Sequence, residues 1–244
     1  MSSKVALITG GAKGIGRAIA LDLAAQGWSV AICYRTSARE ADEVIDAIKQ
    51  KGSAGLAIQC DVSKATAASE LVARVRQEFG RIDALINGAG PYHRVSLLQE
   101  TNAGWHDMFD NNLNPVFYLT QAVVPIMKEQ KWGRIVSFSM ANAEQLIAQP
   151  QLTAHYIAKV GLLALSRSYA KLIAPDGITM NCISPGFIDS GSAPKEELDR
   201  MVKMIPAGYI GSVDDAVAAV RYLLSDQARY VNGANIQLSG AWGV

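Results

Sequence analysis

Short apolar runs along the chain alternate with segments in which apolar residues recur at helical spacing. Most of the runs lack the polar alternation of a half-exposed sheet, which is typical of strands buried on both faces of a parallel sheet. Seven such runs predict about seven strands, and they are Val5–Ile8, Val30–Cys33, Leu56–Ile58, Ala84–Ile86, Ile135–Val136, Ile178–Ile183 and Ile236–Leu238.

The segments between the runs carry the i, i+3, i+4, i+7 pattern of amphipathic helices. The clearest cases are Ala41–Ile48, Ala68–Val75 and Val213–Leu224. Alternating strands and helices predict βαβ units with right-handed crossovers and helices on both faces of the sheet. Because no linker, repeat or low-complexity tract divides residues 1–244, the pattern predicts a single-domain α/β fold with a doubly wound, Rossmann-like parallel sheet.

One long irregular stretch, Ser184–Gly211, interrupts this alternation. In a compact domain such a stretch is usually functional, and we interpret it as a substrate lid with a short helix at Pro194–Arg200. The apolar residues expected on the underside of the lid are Met201, Met204, Ile205 and Tyr209. They predict a small, partly hydrophobic substrate.

A glycine-rich turn, Thr9–Arg17, follows the first strand and leads directly into helix-forming residues. Glycines allow a tight turn and a close approach of the backbone to a pyrophosphate, and the helix N-terminus offers free N–H groups to it. The turn therefore predicts a dinucleotide site. The contacts expected from it come from Gly10, Lys13, Gly14, Ile15 and Gly16.

The end of the second strand selects between the two nicotinamide dinucleotides. An acidic residue there would bind the ribose 2′-hydroxyl and repel a 2′-phosphate. This chain has Tyr34 and Arg35 instead. Arg35 and Lys13 suit a 2′-phosphate, with no carboxylate opposing them, so we expect NADP(H) over NAD(H). The alternative is that Arg35 is a solvated surface charge.

Composition excludes several other classes of protein. Half of the 244 residues are hydrophobic, and 23 lysines and arginines balance 22 acidic residues, which favours neither nucleic acid nor a membrane surface as partner. The three cysteines and three histidines show no metal-ligand spacing. The apolar stretch at the N-terminus is too short for a signal peptide or a membrane span, so we expect a cytoplasmic protein with a small-molecule substrate.

Five motifs in order resemble the short-chain dehydrogenase/reductase family over essentially the whole chain. They are the turn at Thr9–Gly16, Cys60-Asp61-Val62, Asn87-Gly88-Ala89-Gly90, Asn112-Leu113 and Ile183–Ile188. The sequence is most similar to members of the 3-oxoacyl-carrier-protein reductase and pteridine reductase types. The resemblance implies an NADP(H)-dependent oxidoreductase, a proton-relay role for Asn112, and a dimer or homotetramer. It also implies cofactor contacts at Asp61, Val62, Asn87, Ala89, Gly90, Lys159, Pro185, Gly186 and Ile188.

The catalytic centre departs from the family pattern of Tyr-x-x-x-Lys on one helix. Lys159 matches the lysine, but four residues before it stands His155, and Tyr156 is rotated from the expected position by about 100° around a helix. The family serine falls on Met140, and Ser139 is one residue early on a strand whose neighbours face opposite ways. The segment from Met140 to His155 is also about two residues longer than the family pattern.

Three interpretations stay open. The chain is a working reductase in which Tyr156 or His155 supplies the proton while Lys159, Asn112 and Ser139 assist. Alternatively, it binds NADP(H) with little or no turnover, as a sensor, scaffold or partner. Thirdly, it transfers hydride to an activated C=C or C=N bond, which needs less help from a phenol. In the first case we expect the pKa of His155 to fall next to Lys159 and an oxidised nicotinamide, which weakens it as an acid.

Two further segments bear on partners. His93 follows the Asn87–Gly90 element and lies near the expected substrate mouth, as a substrate contact or as an exposed loop histidine. The helix that carries Lys159 is apolar around much of its circumference, which we interpret as a subunit contact. Its residues in that role are Leu162, Leu163, Leu165 and Tyr169.

Overall fold

The computed structural model describes residues 3–88, 90–191 and 194–243. The strands are β1 (Val5–Thr9), β2 (Ser29–Tyr34), β3 (Gly55–Gln59), β4 (Ala84–Asn87), β5 (Gly133–Phe138), β6 (Ile178–Pro185), β7 (Ile188–Asp189), β8 (Gly211–Ser212) and β9 (Asn235–Leu238). The helices are α1 (Gly14–Ala25), α2 (Ala38–Gln50), α3 (Ala65–Phe79), α4 (Asn102–Asn112), α5 (Asn114–Gln130), α6 (Thr153–Ile173), α7 (Lys195–Val202) and α8 (Val213–Leu224). Each of the seven apolar runs lies in a strand, which confirms that prediction.

The sheet has seven parallel strands in the order β3-β2-β1-β4-β5-β6-β9. The predicted doubly wound α/β fold is therefore confirmed. The short strands β7 and β8 pair with each other outside this sheet. They were not predicted, because two residues are too few to leave a hydrophobic pattern.

The core lies on both faces of the sheet, as the apolar runs indicated. Neighbouring residues of β1 point to opposite faces, so Ile8 packs with α1, α2 and α8 while Leu7 packs with α3, α5 and α6. Leu162 belongs to the second of these clusters and is 1% exposed. The apolar circumference of α6 is thus partly explained by burial in the chain's own core, and the interpretation of Leu162 as a subunit contact was wrong.

The order of the strands places the site. From β1 the chain runs outward to β2 and β3, and then returns to β4 on the other side of β1. Such a reversal opens a crevice at the carboxyl ends of the two central strands, where α/β proteins bind their ligands. Thr9 of β1, Asn87 of β4 and Ser137 of β5 lie in register at this edge.

The stretch interpreted as a lid contains α7, which confirms the predicted helix at Pro194–Arg200 to within two residues. The expected apolar underside is only partly formed. Ile205 is buried, but Met204 is 53% and Tyr209 is 63% exposed. These two residues lie after the end of α7 and do not share one of its faces, so their assignment to the underside was wrong.

Candidate active site

The turn after β1 depends on glycine at several positions. Gly10 and Gly14 have φ angles of 68° and 51°, in the left-handed region that favours glycine. A Cβ atom at Gly16 would collide with the carbonyl oxygen of Gly10. Helix α1 begins at Gly14, so its first N–H groups, which lack partners within the helix, face the turn. This cradle of free N–H groups fits a diphosphate.

A cleft of about 360 Å³ opens beside the turn at the carboxyl edge of the sheet. Its lining residues are Gly10, Ala12, Lys13, Cys33, Tyr34, Arg35, Thr36, Ser37, Cys60, Asp61, Val62, Gly88, Gly90, Pro91 and Asn111. Seven residues singled out as cofactor contacts are among them: Gly10, Lys13, Tyr34, Arg35, Asp61, Val62 and Gly90. Ala89 lies outside the described residues. The cleft and the glycine cradle together fit an extended dinucleotide.

The other expected cofactor contacts flank this cleft. Asn87 is buried and donates from Nδ2 to the Ser137 hydroxyl at 3.1 Å, while its Oδ1 has no partner among the described residues. Ile15 and Gly16 stand in the first turn of α1, directly after Gly14. Pro185 ends β6, Ile188 begins β7, and the N–H of Gly186 between them donates to Leu238 at 2.9 Å.

The two cations expected at a 2′-phosphate are both engaged. Arg35 donates from Nη1 to Asn111 Oδ1 at 3.1 Å, joining β2 to α4 beside the cleft. Lys13 Nζ pairs with Glu40 Oε1 at 3.0 Å. The expectation that no carboxylate opposes these cations was therefore wrong for Lys13. Glu40 lies in the first turn of α2, and the fold brings that turn against the loop after β1.

Lys159 is buried in α6 beside Asn112 of α4. Its Nζ donates to the Phe138 carbonyl at 2.8 Å. A Cβ atom at Gly90 would collide with Asn112 Oδ1 and would lie 3.3 Å from Lys159 Nζ, so glycine is required between them. Burial lowers the pKa of Lys159 to about 8, against a smaller opposing effect from Cys182. Among the described residues, Asn112 Oδ1 has no hydrogen-bond partner.

His155 lies one helical turn before Lys159 and is also buried. The rings of His155 and Tyr92 pack edge to face. Their centroids lie 5.5 Å apart, and the angle between the ring planes is 87°. Burial, and then the charge of Lys159, lowers the pKa of His155 to about 4, while a hydrogen bond with the Pro91 backbone opposes this. The expected fall is confirmed, with burial as its larger cause. His155 is therefore neutral near pH 7, and its Nδ1 has no hydrogen-bond partner among the described residues.

Tyr156 and Ser139 use their hydroxyls in structural hydrogen bonds. The Tyr156 hydroxyl donates to the Asn142 carbonyl at 2.9 Å and accepts from the Ile147 N–H at 3.1 Å. The Ser139 hydroxyl donates to the Lys159 carbonyl at 2.8 Å. No contact here supports the catalytic roles proposed for these two side chains, which stay predictions.

The extra length between Met140 and His155 forms a loop that Tyr156 fixes from inside. Asn142 and Leu146 in this loop have positive φ angles of 70° and 51°. Met140 itself is half-buried and packs with the small cluster around Leu163. Its thioether occupies the position at which the family resemblance led us to expect a hydroxyl.

The sequence did not reveal several contacts around the cleft. Asn111, Glu40 and Glu100 were not singled out, although each pairs with a residue that was: Arg35, Lys13 and His93. Asn111 directly precedes Asn112 in the sequence, so its place at the end of α4 could have been noted. The partners could not be read from spacing, because Arg35 and Asn111 are 76 positions apart.

No helix within residues 3–88, 90–191 and 194–243 has the length and apolar character that crossing a membrane requires. No group of three or more His, Cys, Asp or Glu side chains in those ranges is arranged to hold a metal ion.

Comparisons with known proteins cover nearly the whole chain. A family model described as Enoyl-(Acyl carrier protein) reductase matches residues 10–241. The 3-oxoacyl-[acyl-carrier-protein] reductase FabG of Staphylococcus epidermidis is 37% identical over 98% of each chain. FabG of Pseudomonas aeruginosa is 32% identical over 98% of this chain and 97% of its own.

Solved structures give the same picture. Acetoin dehydrogenase YohF from Salmonella typhimurium matches with a TM-score of 0.90 and 27% identity, over 98% of this chain and 96% of the other. A levodione reductase matches with a TM-score of 0.90 and 28% identity, over 97% of this chain and 96% of the other.

Proposed function

The chain belongs to the short-chain dehydrogenase/reductase family, and we propose that it is an NADP(H)-dependent reductase acting on a carbonyl or activated double bond. The observation that carries the proposal is the juxtaposition of the cofactor cleft with the Lys159–Asn112 pair across Gly90. The expected substrate is small and partly hydrophobic, although two of the four lid residues behind that expectation, Met204 and Tyr209, are exposed. When bound, the cofactor supplies a hydride.

The residues that would hold the cofactor follow from the cleft. The N–H groups at Gly14–Gly16 would bind the diphosphate, and Asp61 and Val62 would contact the adenine end. Arg35 would bind the 2′-phosphate, because guanidinium groups pair well with phosphate and β2 ends without an acid. Lys13 would join it on leaving Glu40. Pro185, Gly186 and Ile188 would close over the nicotinamide end.

Three buried residues, Lys159, Asn112 and His155, determine the charge and the hydrogen bonding beside the cofactor cleft. Below pH 8, Lys159 carries a buried positive charge, which would hold the ribose and stabilise negative charge on a nearby substrate atom. In such a dry environment this attraction is stronger than in water. Asn112 Oδ1 would accept a hydrogen bond from a water or hydroxyl beside Lys159. His155 is neutral and would serve there as a hydrogen-bonding group.

A C=C or C=N substrate is a variant of this proposal with its own support. The Tyr156 and Ser139 hydroxyls are engaged with the backbone, so neither polarises a carbonyl in this structure. A double bond that is already activated by conjugation needs less polarisation. The matching family model carries an enoyl reductase description, and the FabG relatives are named 3-oxoacyl reductases. Both enoyl and 3-oxoacyl thioesters therefore belong in the substrate panel.

The second candidate is an NADP(H)-binding protein with little or no turnover, acting as a sensor, scaffold or partner. The observation in its favour is the centre itself. Met140 stands where the family resemblance leads us to expect a hydroxyl, and His155, where we expect an acid, is neutral near pH 7. This candidate keeps the cofactor cleft and predicts tight NADPH binding without NADPH oxidation.

NADPH oxidation separates the two candidates. We expect oxidation with at least one member of a panel of ketones, quinones, enoyl and 3-oxoacyl thioesters, and pterins. Lys159→Ala should abolish it and weaken NADPH binding, whereas Lys171→Ala, at the exposed end of α6, should change neither. NADPH binding without oxidation of any panel member would favour the sensor or scaffold. Unchanged kinetics in Lys159→Ala would remove the lysine from the mechanism.

Calorimetry tests the choice of cofactor. We expect NADPH to bind more tightly than NADH, and Arg35→Ala to remove most of the difference. The matched control is Arg39→Ala, because Arg39 is exposed on α2 and pairs only weakly with Glu43 at 3.7 Å. A preference for NADH, or an unchanged NADPH preference in Arg35→Ala, would refute the assignment.

Assembly and location belong to the proposal as well. A homo-oligomer, dimer or homotetramer, follows from the family, and light scattering on the purified protein would test it. A cytoplasmic location stays a prediction, which fractionation of the cells would check.

A further inference from the structure

A second histidine stands at the rim of the site, paired with a carboxylate. His93 Nε2 lies 2.8 Å from Glu100 Oε2, and the Glu100 side chain is only 9% exposed. The other oxygen of Glu100 accepts the N–H of Thr101 at 3.0 Å. Because both carboxylate oxygens are engaged, the position of Glu100 is fixed, and the orientation of the imidazole is fixed with it.

The pair is built into the start of α4. Thr101 caps this helix by accepting the N–H of Gly104 at 3.0 Å. A Cβ atom at Gly104 would collide with the Glu100 carboxylate and would lie 3.4 Å from His93 Cε1. Glycine at this position therefore leaves the space that the pair occupies.

The segment that carries His93 runs from the cofactor cleft to α4. Pro91 lines the cleft, and the Tyr92 ring packs against His155. Val95 donates its N–H to Gln151 at 2.9 Å, which ties the segment to the residues that lead into α6. The charge of His93 is the smallest of the effects that lower the pKa of His155.

Apart from the Lys159 ammonium, which donates to the Phe138 carbonyl and would hold the ribose, the inner residues offer the substrate no proton donor. His155 is neutral near pH 7, and the hydroxyls of Tyr156 and Ser139 donate to backbone carbonyls. His93 differs from them because its side chain is 33% exposed and can exchange protons with solvent. A carboxylate that orients an imidazole also stabilises the ring while it carries charge.

We propose that His93, oriented by Glu100, donates the proton that completes the reduction. This inference rests on the proposed reductase function. When the substrate double bond accepts a hydride at one atom, its π electron pair moves to the other atom. The Nδ1–H bond of His93 then breaks and its proton bonds to that second atom, because Nε2–H is held by Glu100. The neutral ring takes up a replacement proton from water.

His93→Gln and Glu100→Gln test the assignment, with His106→Gln as matched control. Glutamine at either position keeps a hydrogen bond but removes the titrating ring or the charge, and His106 is an exposed histidine of α4 outside the pair. General acid catalysis contributes roughly 10²- to 10⁴-fold. We therefore expect His93→Gln to lower kcat about 100-fold and Glu100→Gln to lower it less, with unchanged KM for NADPH. His106→Gln should match the wild type.

The pH profile and NMR supply readouts that a merely structural role would not move. Two ionisations should lower the kcat of the wild type as the pH rises, and only the one set by Lys159, whose pKa is about 8, should remain in His93→Gln. In the protein without cofactor, the NMR titration of His155 should move upward from about 4 in His93→Gln, because a positive charge has gone. Calorimetry should give the same NADPH affinity for all four proteins.

The outcomes of these experiments distinguish failure of this inference from failure of the proposed reductase function. A wild-type protein that oxidises NADPH with no panel substrate overturns the reductase function and the role of His93 with it. An active wild type with an equally active His93→Gln overturns the role of His93 alone. A His155 titration that is identical in the wild type and His93→Gln shows that the rings do not interact, and also overturns it.

Discussion

Acid should destabilise this protein through His155. The ring is 7% exposed, and its pKa falls from an ordinary 6.5 to about 4 in the folded chain. Between these two values the unfolded chain binds a proton that the folded chain does not. The neutral ring's contribution to stability is therefore fully present above pH 6.5 and is lost as the pH falls through 4.

The magnitude follows from the two pKa values. Each pKa difference of one corresponds to about 1.4 kcal/mol, so the full effect is on the order of 3 kcal/mol. At pH 5 most of it is already lost, about 2 kcal/mol. Such a change is a large fraction of the stability of an ordinary domain, about 5–15 kcal/mol.

The assay is urea unfolding of the wild type and His155→Gln at pH 7.5 and pH 5. Other carboxylates and histidines titrate in the same interval, but they do so in both proteins and cancel in the difference. We expect the wild type to lose about 2 kcal/mol more than His155→Gln on acidification. Both proteins are compared at one concentration, because association would add to the apparent stability.

Two results would refute the reasoning. Equal acid sensitivity in both proteins would mean that His155 titrates near its ordinary value and is not desolvated in solution. The same differential loss in His106→Gln, whose ring is exposed, would place the effect outside the α6 site. An m-value that changes between variants would indicate an altered unfolded or native state, and the difference would then be read from histidine NMR instead.

The remaining predictions concern the turn and the two lysines. Gly16→Ala should weaken NADPH binding at least 10-fold by calorimetry, because its methyl group meets the Gly10 carbonyl; Gly27→Ala, which has open space but a φ of 82°, should reduce stability without this loss. Glu40→Gln should release Lys13 and tighten NADPH but not NADH, and equal changes for both would contradict the pairing. Lys159→Met should raise the free energy of unfolding at pH 7 while abolishing turnover, since burial lowers the lysine pKa to about 8. The net gain at pH 7, about 2 kcal/mol after loss of the Phe138 hydrogen bond, should turn into a loss of about 1 kcal/mol above pH 10.5, and a loss of stability already at pH 7 would refute the reasoning.

The sheet could be predicted from sequence because its strands are buried on both faces. All five residues of β1 are buried, so the run Val5–Ile8 has no polar interruption to obscure it. The different contacts of Tyr156 and His155 could also be anticipated, because helix geometry fixes the angle between neighbouring residues. In both cases the information is local, within a strand or a single turn of helix.

Side-chain pairing could not be predicted in the same way. His93 and Glu100 are close in sequence, but they meet only because the loop closes onto the first turn of α4, at Gly104. Lys13 meets Glu40 because α2 starts beside the turn after β1. Such contacts depend on the packing of elements, and they determine whether a charged residue is available to a ligand.

The electrostatics of the site explain why an acid would stand at its rim. Lys159 is buried, and a second positive charge on the buried His155 ring would add repulsion to the cost of desolvation, as the pKa of about 4 indicates. A ring that must be charged before it can donate a proton is therefore poorly placed one helical turn from this lysine. At His93, water screens the charge and Glu100 offsets it, so protonation there does not require burying a second cation. With histidine at position 155, two tasks would thus be separated. Lys159 would stabilise negative charge inside the site, and His93 would deliver the proton at the boundary with solvent.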